Sequence, residues 1–319
     1  TTDMPVPDMS LLPEWAPQQA LWTAWPASVK EWTGDFEAPR RDVAALVRAL
    51  APGNRVRLLA DGTEALASAT HILGGLADVV PATYGDIWLR DTGPLFATSP
   101  HGPRALRFRT NGWGGKFSLP GDETVGNTIA RLANGPMRKA DFILEGGAID
   151  HDGAGTILTT RQTLLNANRN GWSQADAEAA MRTAVGAKKI LWIDEGLAGD
   201  HTDGHVDNIA RFAGPARVVC QMPAGADDPN AAMLEAAYRA LQGATNAEGQ
   251  PIEIFRVPSP GPLLNAHGEN APASKLNIVI ANRAECVPLI GTKKQSEPIK
   301  RLQRSEVHTS EIQSLTQLQ

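Results

Sequence analysis

The sequence predicts a mixed α/β fold in one domain. Three observations carry that expectation: helical periodicities alternate with short apolar runs, two pairs of those runs are joined by links too short for a crossover, and no Ser- or Gly-rich linker divides the chain. The short links, D-H-D-G-A-G at 150–155 and A-G-P-A at 213–216, are turn formers and imply antiparallel hairpins. A purely parallel doubly wound sheet is therefore not expected. The pattern is one of small units, each with a hairpin, a helix and a further strand.

The elements follow in order. Val43, Leu46, Val47 and Leu50 recur at i, i+3, i+4 and i+7, which places one apolar face on a helix over 37–50. The next run, R-V-R-L-L-A, reads as a strand. Further helices are expected at 61–74, 122–133, 173–185 and 228–242, the last with Met233, Leu234, Ala237, Tyr238 and Leu241 on one side. Apolar or alternating runs predict strands at 77–83, 87–98, 105–110, 141–149, 155–160, 188–193, 205–213, 216–222, 252–257 and 276–290. After Gly291 the chain becomes almost wholly polar. The division expected is one domain over 1–291 followed by a divergent polar tail, 292–319.

At 319 residues and 42% hydrophobic content, the chain can bury a sizeable core. The 30 Lys and Arg against 35 Asp and Glu leave a net charge of −5, too mild for a nucleic-acid partner and too mixed for a membrane surface. No stretch approaches the roughly 20 apolar residues that span a bilayer, and the first residues lack a basic segment followed by an apolar run. Cys220 and Cys286 cannot form a disulfide framework, which fits a reducing cytoplasm.

Polar residues concentrate in G-D-H-T-D-G-H-V-D-N at 199–208. His201 and His205 are four apart, as on a metal-binding helix, but the Gly and Asp residues around them favour a turn. If V-D-N-I-A-R-F is a strand, His205 and Asp207 share one face as an acid–base pair or a ligand pair. A solvated polar loop is the plainer alternative. W-L-R-D-T-G-P at 88–94 reads as a strand ending in a turn at Arg90 and Asp91, and L-E-G-G-A at 144–148 sets Glu145 before two glycines. Singly, Glu145 reads as a structural acid and Asp91 as a turn cap or a partner of Arg90. Together with Asp207 they put three carboxylates on apolar segments, a costly arrangement unless a cation satisfies them. A guanidinium, planar and rich in N–H donors, suits that role, and a metal is the other solution. Trp88 and Trp113 add aromatic faces on which a flat cation could stack.

Six blocks in order resemble one family: P-E-W-A-P-Q-Q-A-L-W-T-A-W-P at 13–26, W-L-R-D-T-G-P at 88–94, F-R-T-N-G-W-G-G-K at 108–116, E-G-G-A at 145–148, T-L-L-N-A-N-R-N at 163–170 and D-H-T-D-G-H-V-D-N at 200–208. The family is agmatine deiminase, also labelled the bacterial type of peptidyl-arginine deiminase, and the resemblance covers about residues 11–291. It implies a pentein α/β propeller, five ββαβ-like units around a pseudo-fivefold axis. It also implies hydrolysis of agmatine to N-carbamoylputrescine and ammonia in the cytoplasm, without metal or organic cofactor, by a homodimer. Residue by residue, His205 matches the general acid/base, Asp91 and Asp207 the acids that grip the guanidinium, and Glu145 the acid beside the histidine. Trp88 matches an aromatic of the substrate channel; Trp113 is expected to bind substrate only through the aromatic face noted above. The family's nucleophile lies in a glycine-rich G-G-G-x-x-H-C segment that has no match here. Cys220 and Cys286 read as buried, inert thiols, so no nucleophile is found, and the last unit is expected to be atypical or incomplete and to lack a strand. Two other functions stay open: a non-catalytic guanidine-binding protein or peptidyl-arginine deiminase on this scaffold, and a His/Asp metallohydrolase.

Overall fold

The helix expected from Val43, Leu46, Val47 and Leu50 spans Glu37–Leu50, and it lies beside a second helix, Gly62–Leu73. Both turn small and branched side chains, Val43, Val47, Ala65 and Ala69, onto the strand residues Val56, Leu58 and Ala60 in one buried cluster. This computed structural model describes residues 9–32, 34–264, 268–289 and 311–316. Helix ends follow local chemistry. Ser173 and Asp176 form a capping box before Gln174–Val185, and Gly186 closes that helix in the left-handed conformation at φ 72°.

Among the described residues the strands form five small sheets. Strand β1 (Ser10–Leu11) opens the chain, and β2 (Leu21–Ala24), β3 (Val56–Ala60) and β4 (Asp78–Pro81) make a parallel sheet. The next sheet runs β1-β5-β6-β7, adding β5 (Leu95–Thr98), β6 (Arg104–Arg109) and β7 (Met137–Ile143). Strands β8 (Ile149–His151), β9 (Thr156–Thr160) and β10 (Lys189–Ile193) form a third sheet. A fourth holds β11 (Ala210–Gly214), β12 (Arg217–Met222) and β13 (Glu253–Pro258). In the last are β14 (Val279–Ile280), β15 (Ala284–Leu289) and β16 (Glu311–Thr316). From β5 onward one rule repeats. The first two strands of each unit pair antiparallel, and the second pairs parallel with the third. A parallel pair requires a crossover, and Asp122–Leu132, Gln174–Val185 and Ala231–Leu241 supply it after β6, β9 and β12. The two hairpins expected at 150–155 and 213–216 are β8–β9 and β11–β12.

Six readings need correction. The run 87–98 is not one strand: Leu89–Thr92 is a single helical turn, and only Leu95–Thr98 is extended. Likewise 205–213 begins with a 3₁₀ turn at Val206–Asn208, and 141–149 is interrupted by another at Gly146–Ala148. An apolar run of four residues fits one turn of helix as well as a strand, and burial rather than periodicity decides. The helix expected from 228 starts at Ala231, because Asp228 spends its carboxylate on the amides of Ala224 and Asn230 in the preceding turn. The strand expected to be missing from the last unit is present as Glu311–Thr316, parallel to β15. Strand pairing uses backbone groups that a polar composition leaves available, and E-I-Q-S-L-T still carries the strand formers Ile312 and Thr316. The run 276–290 is likewise not one strand: Val279–Ile280 and Ala284–Leu289 form an antiparallel pair, because 281–283 turn the chain back. The remainder of the polar tail, 292–310 and 317–319, lies outside the described residues, as does residue 290. Among the described residues no helix is long and apolar enough to cross a membrane.

Candidate functional site

The third strand of one unit leads to the first strand of the next through a link, and the buried parts of three such links converge. Between β4 and β5 lies the turn Leu89–Thr92 with Asp91; between β7 and β8, Glu145 immediately precedes the turn Gly146–Ala148; between β10 and β11, His205 immediately precedes the turn Val206–Asn208 with Asp207 inside it. Gly146 and Gly147 let the three turns touch. A methyl on Gly146 would lie 2.0 Å from the Arg90 carbonyl oxygen. On Gly147 it would lie 2.6 Å from His205 Nδ1, 2.7 Å from Asp207 Oδ2 and 2.8 Å from Asp91 Oδ1. The three polar groups therefore face a single point, kept open because residue 147 has no side chain.

His205 is 2% exposed, Glu145 3% and Asp207 4%. His205 Nδ1 stands 3.7 Å from Asp91 Oδ1 and Nε2 stands 4.0 Å from Glu145 Oε1. Neither Nε2 nor Asp207 Oδ1 has a hydrogen-bond partner. Asp91 is held from both sides, Oδ1 accepting from the Gly147 amide at 2.9 Å and Oδ2 from Trp113 Nε1 at 3.0 Å. Burial favours the neutral imidazole, but the carboxylates of Asp91, Asp207, Glu145 and Asp200 outweigh it and raise the His205 pKa. Burial pushes Asp207 up to about 6, against the opposing pull of His205, and Asp91 nearby adds to the rise. The cage thus favours a protonated imidazole next to an acid poised near neutrality.

The reading of 88–91 and 145 missed how two of these acids are satisfied. Arg90 does not pair with Asp91; it pairs with Glu14 at 3.1 Å. Glu145 meets a guanidinium from its own chain, Arg169, whose Nε donates to Oε1 at 2.8 Å. Arg169 also donates through Nη1 to Asp203 Oδ2 at 2.8 Å and through Nη2 to the Thr202 carbonyl at 3.0 Å. Asp203 Oδ2 further pairs with Lys116 Nζ at 2.5 Å. These donors hold the Asp203 carboxyl down at about 2 in spite of partial burial. The block T-L-L-N-A-N-R-N contained Arg169, but a lone arginine in a polar loop carries no signal of its partner.

His201 and His205 do not act as a pair. His201 is exposed with its ring edge toward Phe117, while His205 is buried. Among the described residues no group of three or more His, Cys, Asp or Glu is set to hold a metal. Trp113 turns its N–H edge to Asp91, from a left-handed backbone at φ 53° that is strained for a non-glycine residue. Trp88 stays 40% exposed at the start of the turn that carries Asp91.

A buried histidine ringed by acids, on mixed sheets of this order, makes a site able to hold a cation and move a proton. Residues 10–316 match the family described as Porphyromonas-type peptidyl-arginine deiminase. The agmatine deiminase of Stutzerimonas stutzeri is 35% identical over 279 residues, spanning 85% of this chain and 76% of that protein. An agmatine deiminase of Enterococcus faecalis has the same fold, with a TM-score of 0.90 at 24% identity, covering 97% of this chain and 91% of its own. A cysteine-to-serine agmatine deiminase of C. jejuni with substrate bound aligns at TM-score 0.87 and 26% identity, over 97% and 90% of the two chains. The chain belongs to the agmatine deiminase and bacterial peptidyl-arginine deiminase family.

Proposed function

We propose that this protein binds the guanidinium of agmatine over Gly147 and that its scaffold serves hydrolysis to N-carbamoylputrescine and ammonia. One observation carries the reading: His205, Asp207 and Asp91 converge within 2.8 Å of one point in a buried site. Asp91 and Asp207 accept N–H bonds from the planar cation, whose charge compensates theirs. His205, protonated by its acidic surroundings, gives a proton to the departing nitrogen and, once neutral, activates the water that releases the covalent intermediate. Glu145, fixed by Arg169, orients the imidazole. Trp88 supplies an apolar wall for the substrate's carbon chain, and Trp113 sets the rotamer of Asp91. The five sheets stand around a pseudo-fivefold axis with the site at its centre, in a single domain over 1–291. No metal or organic cofactor takes part. The chain acts as a homodimer in the cytoplasm.

The attacking group in this chemistry is a thiolate, and neither cysteine is placed to provide it. Cys220 is fully buried in β12 and burial pushes its thiol up to about 12; Cys286 packs with Val56 and Leu58 in another apolar cluster. We therefore propose that the 319 residues form the binding half of the reaction and that turnover requires a cysteine segment they do not contain. Calorimetry with agmatine, beside an ammonia-release assay, tests this. Agmatine binds without turnover, Asp91→Ala loses binding by at least roughly tenfold, and fusing a G-G-G-x-x-H-C segment restores ammonia release. Unchanged affinity in Asp91→Ala rejects the cage. Release of ammonia by the unaltered chain rejects the missing thiol.

A further inference from the structure

A small cavity of about 10 Å³, room for the centre of a single water-sized group, lies beside Trp113 and the cage, lined by Asp91, Thr92, Thr110, Asp122 and Glu145 together with Gly112. Asp122 has no role in the site described so far. It is 6% exposed at the first turn of Asp122–Leu132; Oδ1 accepts from the Gly85 amide at 3.0 Å, the Asp86 amide adds a weaker pull on the carboxylate, and buried Oδ2 has no partner at full hydrogen-bond geometry. An unsatisfied carboxylate oxygen in such a place calls for a donor.

The wall decides what kind of donor. Its side-chain N–H and O–H groups are already committed: Trp113 Nε1 to Asp91, the Thr92 hydroxyl to the Trp88 carbonyl and the Thr110 hydroxyl to the Asp122 carbonyl. Oxygen lone pairs remain, from three carboxylates and two hydroxyls. Water brings two acceptors as well as two donors and would set its own lone pairs against those oxygens. An ion with only N–H groups presents donors in every direction and also compensates the buried negative charge.

We propose that this cavity binds an ammonium ion between Asp122, Asp91 and Glu145. Assigning the ion as the reaction's nitrogen product rests on the deimination reading above, whereas the binding itself rests on the lining alone. Asp91 belongs to both the cage and the cavity, so a nitrogen leaving the guanidinium has a receptor on the same carboxylate. Burial raises the Asp122 carboxyl to about 6 against the pull of the Gly85 and Asp86 amides, and a bound cation favours the ionised form as those amides do.

Thermal unfolding of the full chain in sodium, potassium, ammonium and tetramethylammonium chloride at equal ionic strength and near-neutral pH tests the proposal without requiring turnover. Ammonium raises the midpoint above the other three salts, and ¹⁵N-labelled ammonium shows a bound NMR signal distinct from the free ion. Asp122→Asn, which keeps the shape and replaces the free oxygen by a donor, weakens ammonium binding roughly tenfold or more while the midpoint in sodium chloride holds. Thr110→Val removes one acceptor and weakens binding by a smaller factor, and it carries the test if Asp122→Asn does not fold. Equal midpoints in all four salts, an increment that potassium reproduces, or an ammonium increment that survives both substitutions overturns the proposal. Failure of agmatine binding alone leaves the ammonium shift in place, so the two readings fail separately.

Discussion

Asp207 shows what a single buried group costs. Its pKa of about 6 stands above the ordinary 3.8, so between these values the folded chain binds more protons than the unfolded one. Stability from this group is therefore greatest below about pH 4, falls as pH rises through about 6 and levels off beyond. His205, also raised, acts in the same direction: its contribution is lost as pH climbs through its folded value. Asp207→Asn removes the penalty. In that variant the midpoint of denaturation above pH 6 rises by the equivalent of about 1 to 3 kcal/mol, while agmatine binding is lost, a trade of function for stability that denaturant titration and calorimetry read independently. A variant that is less stable than the parent above pH 6 would show that Asp207 is already compensated in the free protein. In H-V-D-N the residues alone left Asp207 open between half of an acid–base pair and a solvated loop, and the family resemblance singled it out. Its orientation was not: at period two His205 and Asp207 share a strand face, whereas here a 3₁₀ turn starting after His205 brings both to the point over Gly147.

At the scale of elements, the short links between units hold the buried histidine and its acids, and they are what the sequence concealed. Long helices carry many periodic residues and strong caps, so 37–50 and 173–185 could be read to within a residue. The turns Leu89–Thr92, Gly146–Ala148 and Val206–Asn208 contain three or four residues each, too few for any period to declare itself. Their packing depends on partners distant in sequence. Arg169 is the clearest case, joining Glu145 on one link to Thr202 and Asp203 on another. Removing that guanidinium takes from Glu145 and Asp203 the cation they share and leaves Lys116 as the close partner of Asp203. Arg169→Gln is expected to cost about 3 to 5 kcal/mol in denaturant unfolding, and agmatine affinity falls with it because Glu145 no longer sets the His205 ring. Arg169→Lys keeps the charge without the fork and recovers only part of either loss. Equal stability in parent and Gln variant would show that the loop at 199–208 holds its shape without the guanidinium.

At the scale of the molecule, one ion network joins segments from nearly the whole chain. Glu14, in the block P-E-W-A-P, pairs with Arg90 at 3.1 Å and Arg211 at 2.5 Å and accepts from the Ile280 amide at 3.0 Å. Arg211 reaches on to Asp150 Oδ2 at 3.3 Å and to the carbonyls of Leu276 and Ile278. The links before β5 and β14 and the strands β8 and β11 are thereby tied to the segment that follows β1. Burial opposes the ionised form of Glu14, but the two arginines and the Ile280 amide prevail and hold it at about 2, below the ordinary 4.5. For a depressed carboxyl the sign is opposite to that of Asp207: its stabilisation is complete above about 4.5 and is lost as pH falls toward 2. Asp207 and Glu14 thus bound the pH range of greatest stability from opposite sides. Replacing Glu14 by Gln keeps the shape but leaves Arg211, 1% exposed, and Arg90 without their shared acid. The expected loss is about 3 to 5 kcal/mol near neutral pH, shrinking as the pH is lowered toward 2, because there the parent loses the same charge. Denaturant unfolding of parent and variant across that range measures the difference. A gap that stays constant with pH would assign the effect of Glu14 to packing, and its convergence at acid pH would assign it to the charge that binds the units together.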